Sequence, residues 1–231
     1  MAETVPASRF DEAAIAALRA RFERVGCAQL ADAAPELITV LDLPLAARNG
    51  RPRVCGPVFP VATDDDMLPC LQALAATPPG WVLFLHNRVT PSEALAGDIF
   101  TASAAAQRLG GIVVDGAVRD LLELAPLPVP VFSTQVTYVS ARTTETRADQ
   151  VPQTVRAGGR EIRPGDWIFG DADGFLLLAE DRVSAVLAAG AVLRNQEEKL
   201  IDAITRGDGT LAELTGLADF LAGTGPLTFA P

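Results

Sequence analysis

Three short, mostly apolar runs set the frame for this chain: residues 53–62 (RVCGPVFPVA), 81–86 (WVLFLH) and 111–115 (GIVVD). Each has the length of a strand rather than a helix, and an apolar strand without alternation is one buried on both faces. Between them, residues 67–76 and 99–109 carry helical patterns, with Pro78, Pro79 and Gly80 punctuating the turn before the second run. Strands separated by helices pair in parallel, because a parallel return needs a crossover of about a dozen residues. Farther on the rhythm changes. Residues 129–136, 154–156, 161–163, 167–170 and 175–179 read as short strands joined by Gly-rich turns, which predicts an antiparallel half.

Helices close both ends. Ser8 and Asp11 form an N-terminal capping pattern, Ile15, Leu18 and Phe22 recur on one face, and Gly26 supplies a stop. A short second helix covers about 28–34, a short one begins near Arg119, and a long one runs over about 181–205 before a Gly- and Pro-broken tail. No internal repeat or long linker divides the chain. The expectation is one α/β domain over 1–231 with a sheet of mixed sense.

Composition then removes function classes. The 231 residues are 49% apolar and 21% charged, which excludes disorder and is ample for a sizeable core. The longest apolar run, residues 183–193, is well short of the roughly 18 residues a membrane span requires. The first residues lack a secretory apolar core, and three cysteines without paired spacing (Cys27, Cys55, Cys70) suit a reducing compartment, so the expected location is cytoplasmic. A net charge of −10 would repel a phosphate backbone, and the arginines are scattered, so nucleic acid is not an expected partner.

Scarcity narrows the chemistry further. His86, Lys199 and Tyr138 are each the single residue of their kind. A histidine-activated nucleophile would need His86 and a Schiff base would need Lys199. Carboxylates are abundant, so a metal would be a hard cation on oxygen ligands, magnesium or manganese. His86 ends a strand and reads as a satisfied, partly buried histidine. Asp64, Asp65 and Asp66 read as a solvated acidic turn. GDADG (170–174) has a fragment of a calcium-loop pattern but reads as a turn between strands.

The informative stretch is ALAGDIFTASAAAQRLGGIVVDGAVRDLLEL, residues 94–124. Gly97 and Asp98 open a helix, so Asp98 can cap it while the N–H groups of Ile99 and Phe100 face outward as an anion cradle. Twenty-two residues past Asp98, the chain reaches Arg119 and Asp120 at another strand-to-helix turn on the same side of the sheet. Glu123 follows one helical turn later. From spacing alone two readings stand: a converging site, or ordinary caps with an acidic first turn that the helix dipole favours.

Resemblance separates them. Gly97-Asp98, GIVVDGAVRD and GREIRPGDWIFGDADGFLLLAEDR, together with GCAQLADA (26–33) and GPVFPVAT (56–63), resemble the family that joins class II 4-hydroxy-4-methyl-2-oxoglutarate aldolases to the regulator of ribonuclease activity A. The resemblance implies a swivelling β/β/α-type sandwich, RraA-like, assembled as a homotrimer or homohexamer. It implies that Asp120 binds Mg2+ or Mn2+ directly, that Arg119 contacts the pyruvate moiety of a small 2-oxo acid, and that Asp98 acts through metal-bound water. Gly97, Ile99 and Phe100 would present backbone donors to the substrate carboxylate. A glutamate from the neighbouring protomer's C-terminal helix would complete the site, which here means Glu197 or Glu198, Glu197 lying nearer the apolar face of Leu193, Leu200, Ile201 and Ile204. Residues 181–231 would accordingly pack on that neighbour.

The implied reaction is lyase chemistry: cleavage of 4-hydroxy-2-oxo acids to pyruvate through an enolate, with oxaloacetate decarboxylation through the same enolate. Members that act only as ribonuclease regulators commonly lose the aspartate that Asp120 retains, which favours an enzyme. The alternatives are a non-catalytic regulator of a ribonuclease or helicase, and an enzyme of the same scaffold with a divergent substrate. TDDDMLP (63–69) and residues 138–153 depart from the aldolase pattern and bear on substrate choice.

Overall fold

The computed structural model describes residues 5–89, 93–143 and 151–229. In chain order these form α1 (Glu12–Val25), α2 (Cys27–Ala33), β1 (Thr39–Leu41), β2 (Ala46–Ala47), β3 (Val54–Thr63), α3 (Met67–Ala76), β4 (Val82–Asn87) and β5 (Ala94–Ala96). They continue with α4 (Asp98–Ala106), β6 (Gly111–Val118), α5 (Leu121–Leu124), β7 (Val131–Val136), β8 (Val155–Ala157), β9 (Arg160–Ile162), β10 (Trp167–Gly170) and β11 (Phe175–Leu178). Three helices end the chain: α6 (Val183–Arg206), α7 (Leu211–Leu214) and α8 (Leu217–Leu221).

One large sheet runs β1-β11-β10-β3-β4-β6-β7-β2, with β5 attached to β6, and β8 and β9 form a separate hairpin. Its centre is parallel, β3 on β4, β4 on β6 and β6 on β7. Its flanks, β10 on β3, β11 on β10 and β1 on β11, are antiparallel. The mixed α/β architecture matches the pattern of apolar runs. β3 is buried along its whole length because both faces are covered. One face packs Phe59, Leu83, Leu85 and Val114 against helix residues such as Phe22, Leu30 and Leu187. The alternate residues Val58, Phe84 and Val113 meet Phe132 and Phe175 in a second core. This is the period of two that the pleat imposes.

Local chemistry explains the helix ends. Asp11 accepts the Ala14 N–H at 2.8 Å and caps α1. Ser8 does not share that cap: its hydroxyl donates to Glu180 Oε1 and ties the N-terminal segment to the turn before α6. Gly26, at φ 93°, ends α1 and starts α2. The buried start of α2 is capped from far away, since Asp171 of the GDADG turn accepts the Cys27 N–H at 2.7 Å. GDADG is thus a β10–β11 turn whose aspartate serves a helix.

Three sequence expectations change here. Residues 129–136, read with the antiparallel half, form β7, which extends the parallel centre on β6 and is antiparallel only to the two-residue β2, because the chain returns to it through α5 rather than a tight turn. The acidic run is not solvated throughout: Asp64 pairs with Arg88 at the surface, but Asp66 is buried and accepts the Leu68 N–H, capping α3. A cap must sit against the helix it serves, and α3 lies on the sheet. On α6, Leu200 and Ala203 are buried, whereas Ile201 and Ile204 face away from the chain that carries them. Residues one apart on a helix differ by about 100°, so Leu200 and Ile201 cannot share a tight seam.

Candidate active site

The site is made by strand register. β4 pairs with β6 only as far as His86 opposite Asp115. Beyond that point β5 takes over the same edge of β6, with Ala94 opposite Ala117 and Ala96 opposite Val118. The Arg119 N–H donates to the Ala96 carbonyl at 3.1 Å. Two turns separated by twenty-two residues in sequence are therefore adjacent, because both strands end at one level. The β5–β6 register shifts between Ala94 and Ala96, and on the other edge of β6 a bulge between Val114 and Ala117 shifts the register with β7; there Gly116 has φ 156°, and the Thr134 hydroxyl accepts from its N–H and donates to its carbonyl, each at 3.0 Å.

At the strand ends, Asp120 adopts φ 60°, ψ 44°, the left-handed region that aspartate tolerates better than most residues. That conformation turns its carboxylate back toward Gly97. A Cβ at position 97 would lie 2.4 Å from Asp120 Oδ2 and 3.2 Å from Arg119 Cγ, so glycine is what admits the pair. Arg119 Nε donates to Asp120 Oδ2 at 3.1 Å, and among the described residues its terminal nitrogens have no other partner. Both side chains remain about one-third exposed, at 37% and 30%.

The helix start differs from expectation in one respect. Gly97, not Asp98, is the N-cap of α4, and Asp98 is its first residue. Asp98 Oδ1 accepts the Ile99 N–H at 2.7 Å, so that N–H is not an open donor, while the Asp98 N–H points at Asp120 Oδ2 at 3.5 Å. A carboxylate in the first turn satisfies the orphan N–H group beside it before any ligand does. Phe100 lies with its side chain buried, in the same first turn.

Gly97, Asp98, Ile99, Phe100, Arg119 and Asp120 all line one cavity of about 290 Å³. Asp98 and Asp120 are its carboxylates. One or two carboxylates facing an open cleft, the rest of the coordination left to water and substrate, is the donor set that suits Mg2+ or Mn2+. Among the described residues no group of three or more His, Cys, Asp or Glu gathers to hold a metal ion, here or elsewhere, so the cavity offers two carboxylates at most.

Residues 27–177 match the family model RraA-like, described as Aldolase/RraA. The chain belongs to the RraA-like family. A Halalkalibacterium halodurans protein named "Putative 4-hydroxy-4-methyl-2-oxoglutarate aldolase" is 32% identical over 151 residues, 65% of this chain and 71% of its own. The structure of "the RNA-processing inhibitor RraA from Thermus thermophilis" superposes with a TM-score of 0.60 at 29% identity, covering 65% of this chain and 90% of that one. An uncharacterized Pseudomonas syringae protein shares the fold over 86% of this chain and 96% of its own, with a TM-score of 0.70 at 24% identity. An aldolase name and an inhibitor name thus sit on one RraA-like fold, and the site residues must choose between them.

The remaining candidates fall outside this RraA-like cavity within the chain. Glu197 Oε2 accepts from Gln29 Nε2 of α2 at 2.9 Å, and Glu198 pairs with Arg194 one turn back. Lys199 is exposed on α6. Glu123 is exposed on α5 and does not line the cavity. His86 is satisfied as expected, its Nδ1 2.8 Å from Asp115 Oδ2 across the β4–β6 pair. What sequence reading missed is the seam that shapes the cavity. Residues 138–141 run along β5, with the Ala94 N–H donating to Val139 and the Ala141 N–H to Ala94, and this brings Ser140 to the cavity wall. Residues 144–150 of the unmatched 138–153 stretch lie outside the described residues.

Proposed function

We propose that this protein is a divalent-metal-dependent carbon–carbon lyase that cleaves 4-hydroxy-2-oxo acids to pyruvate, with oxaloacetate decarboxylation as a second activity through the same enolate. The observation that carries this reading is the Ala96–Val118 pairing, which sets Asp98, Arg119 and Asp120 in one cavity. A passive cap would not require Gly97 to make room for a carboxylate in a left-handed conformation.

In this reading Asp120 would hold Mg2+ or Mn2+ and Asp98 would act on the metal through water, and the metal when bound would supply Lewis-acid stabilisation of charge on the 2-oxo group. Arg119 presents its terminal nitrogens as a two-pronged donor to the substrate carboxylate, and its Nε contact with Asp120 fixes the fork. The reaction breaks the C3–C4 bond. The 4-hydroxyl loses its proton, C4 becomes a carbonyl, and the bonding pair passes to C3 as a pyruvate enolate. Asp98, with Oδ1 engaged by Ile99, keeps Oδ2 as acceptor for that proton, which returns to C3 to complete pyruvate. Within one chain a Schiff-base route lacks its amine, because the sole lysine stands exposed on α6 and does not line the cavity.

The same reading assembles the protein as a homotrimer or homohexamer in the cytoplasm, residues 181–231 covering a neighbour and bringing Glu197 or Glu198 to its cavity. Apolar side chains left exposed on this region, among them Ile201, Leu211, Phe220 and Leu221, support a covering subunit. Both glutamates have a partner within the chain, Gln29 for Glu197 and Arg194 for Glu198, and Glu198 is the more exposed of the two, at 54% against 31%.

The test is pyruvate release from a panel of 4-hydroxy-2-oxo acids and oxaloacetate, with Mg2+ or Mn2+ and with excess EDTA. Release that EDTA abolishes and metal restores is expected, with nothing trapped on Lys199 by borohydride. Full activity in EDTA, or a trapped pyruvate adduct, overturns the metal-dependent reading. Silence on the whole panel, with inhibition of a ribonuclease in a parallel assay, would establish the regulator reading instead.

A further inference from the structure

β6 delivers Arg119 and Asp120, and its pairing with β7 slips just before it does so. Val114 lies opposite Ser133 and Ala117 opposite Gln135, so Asp115 and Gly116 together face the single residue Thr134. Two residues against one is a bulge, and the backbone groups inside it fall out of step with the ladder. Gly116 is buried, where an unpaired N–H or C=O is costly. One hydroxyl serves both groups: Thr134 Oγ1 accepts the Gly116 N–H and donates to the Gly116 carbonyl, each at 3.0 Å. A hydroxyl has one proton to give and lone pairs to receive, so a single threonine replaces a whole rung of the ladder.

Thr134 is itself held from behind. Arg48 donates from Nε to Ser133 Oγ at 2.7 Å and from Nη2 to the Ser133 carbonyl at 2.8 Å, and Ser133 Oγ donates to the Gln135 carbonyl at 2.7 Å. These contacts bracket Thr134 on β7. Beyond the bulge, Ala117 and Val118 are fully buried, the Val118 carbonyl accepts the Thr137 N–H, and the Arg119 N–H donates to Ala96. A segment packed this closely passes a shift along rather than absorbing it. The backbone at Gly116, with φ 156°, is one that only glycine adopts easily, so the bend there is set by what holds it. Thr134 does not line the cavity, and it reaches the site only through β6.

We propose that Thr134 is a positioning residue for the catalytic pair: by locking the β6 bulge it fixes where Arg119 and Asp120 stand against Gly97 and Asp98. The role rests on the lyase reading above for what the pair does, though not for where the pair stands. The lock lies within the sheet of one chain, so a neighbouring subunit over the cavity leaves it unchanged. Removing the hydroxyl frees two backbone groups at once. The slack then falls on a constellation whose members must be held within about 0.5 Å to react.

Thr134→Val keeps the shape of the side chain and removes both hydrogen bonds, Thr134→Ser keeps the hydroxyl, and Thr134→Ala takes the place of the valine variant if that one does not fold. All are compared at a temperature where circular dichroism shows them folded, because a threonine that only stabilised the protein would lower Tm and leave the folded enzyme's kcat unmoved. With Mg2+ and the acid the parent cleaves best, the valine variant should lose on the order of 10-fold in kcat, and serine should restore it to within about threefold. Hydrogen exchange read by mass spectrometry should quicken at amides 117–120, none of which Thr134 touches, by about tenfold more than at β3 and β4. Exchange at 117–120 that changes no more than at β3 and β4, or failure of serine to restore it, overturns the inference. If the parent releases pyruvate and the hydroxyl-free variant matches its kcat, the inference fails and the lyase reading stands. If no acid yields pyruvate from the parent, the lyase reading fails, and exchange at 117–120 alone decides whether Thr134 fixes the turn.

Discussion

Gly97→Ala isolates the site from the fold. Gly97 sits at φ −149°, ψ −160°, extended backbone that alanine adopts freely, so the substitution carries no conformational penalty and acts only through space. The new methyl would stand 2.4 Å from Asp120 Oδ2, and that oxygen must retreat by about 1 Å to reach ordinary van der Waals contact. Asp120 is held by its own backbone in the left-handed region, so the retreat falls on its side chain and on the Arg119 contact. A misplacement of about 1 Å in a reacting constellation costs roughly 100-fold in rate, or about 2.7 kcal/mol of barrier. The stability cost should be far smaller, about 1 kcal/mol, because the displaced pair is one-third exposed and can relax into the cavity. For a chain of this length that lowers Tm by about 2–4 °C. Coupled pyruvate release gives kcat/KM, and scanning calorimetry gives Tm. Retention of activity within about threefold of the parent would refute the close approach, and a Tm drop above about 10 °C would show that Gly97 serves folding instead.

Three further outcomes follow from the same geometry. Asp120→Asn should abolish metal binding by calorimetry yet leave the fold intact, because asparagine also tolerates the left-handed region, and Arg119→Lys should lower turnover on the order of 100-fold since a point charge cannot replace the fork; parental turnover in either variant removes the pair from the mechanism. Burial pushes the Cys70 thiol up to about 12 and raises the Cys27 and Cys55 thiols as well, so a chromogenic disulfide at pH 8 should titrate fewer than one thiol in the native protein and three in guanidinium; rapid native labelling would contradict the packing around α2, β3 and α3. Asp120→Asn protein mixed with a Glu197→Gln, Glu198→Gln protein should regain activity that each lacks alone, and failure after verified subunit exchange, or full activity of the double glutamine variant, ends the shared-site model.

Much of this was written in local pattern. The apolar runs that became β3, β4 and β6 announced buried parallel strands, and Asp11, Gly26 and the spacing of Ile15, Leu18 and Phe22 announced α1, because capping and periodicity act over a few residues. At 97–98 and 119–120 local pattern left a converging site and ordinary helix caps both open, and it was family resemblance that separated them. What the chain could not disclose locally was the pairing that joins the two turns. β5 is Ala-Leu-Ala, too short and too neutral to signal a strand, and it exists because β4 stops early and leaves an edge of β6 to fill. The left-handed turn at Asp120, the loss of the Ile99 N–H to Asp98, the burial of Asp66 and the outward face of Ile201 are decisions of the same kind. So is the lock on the β6 bulge, since Thr134 reaches Gly116 only after β7 has been laid beside β6. Register and packing are settled by burial summed over the whole sheet, and no window of sequence contains that sum.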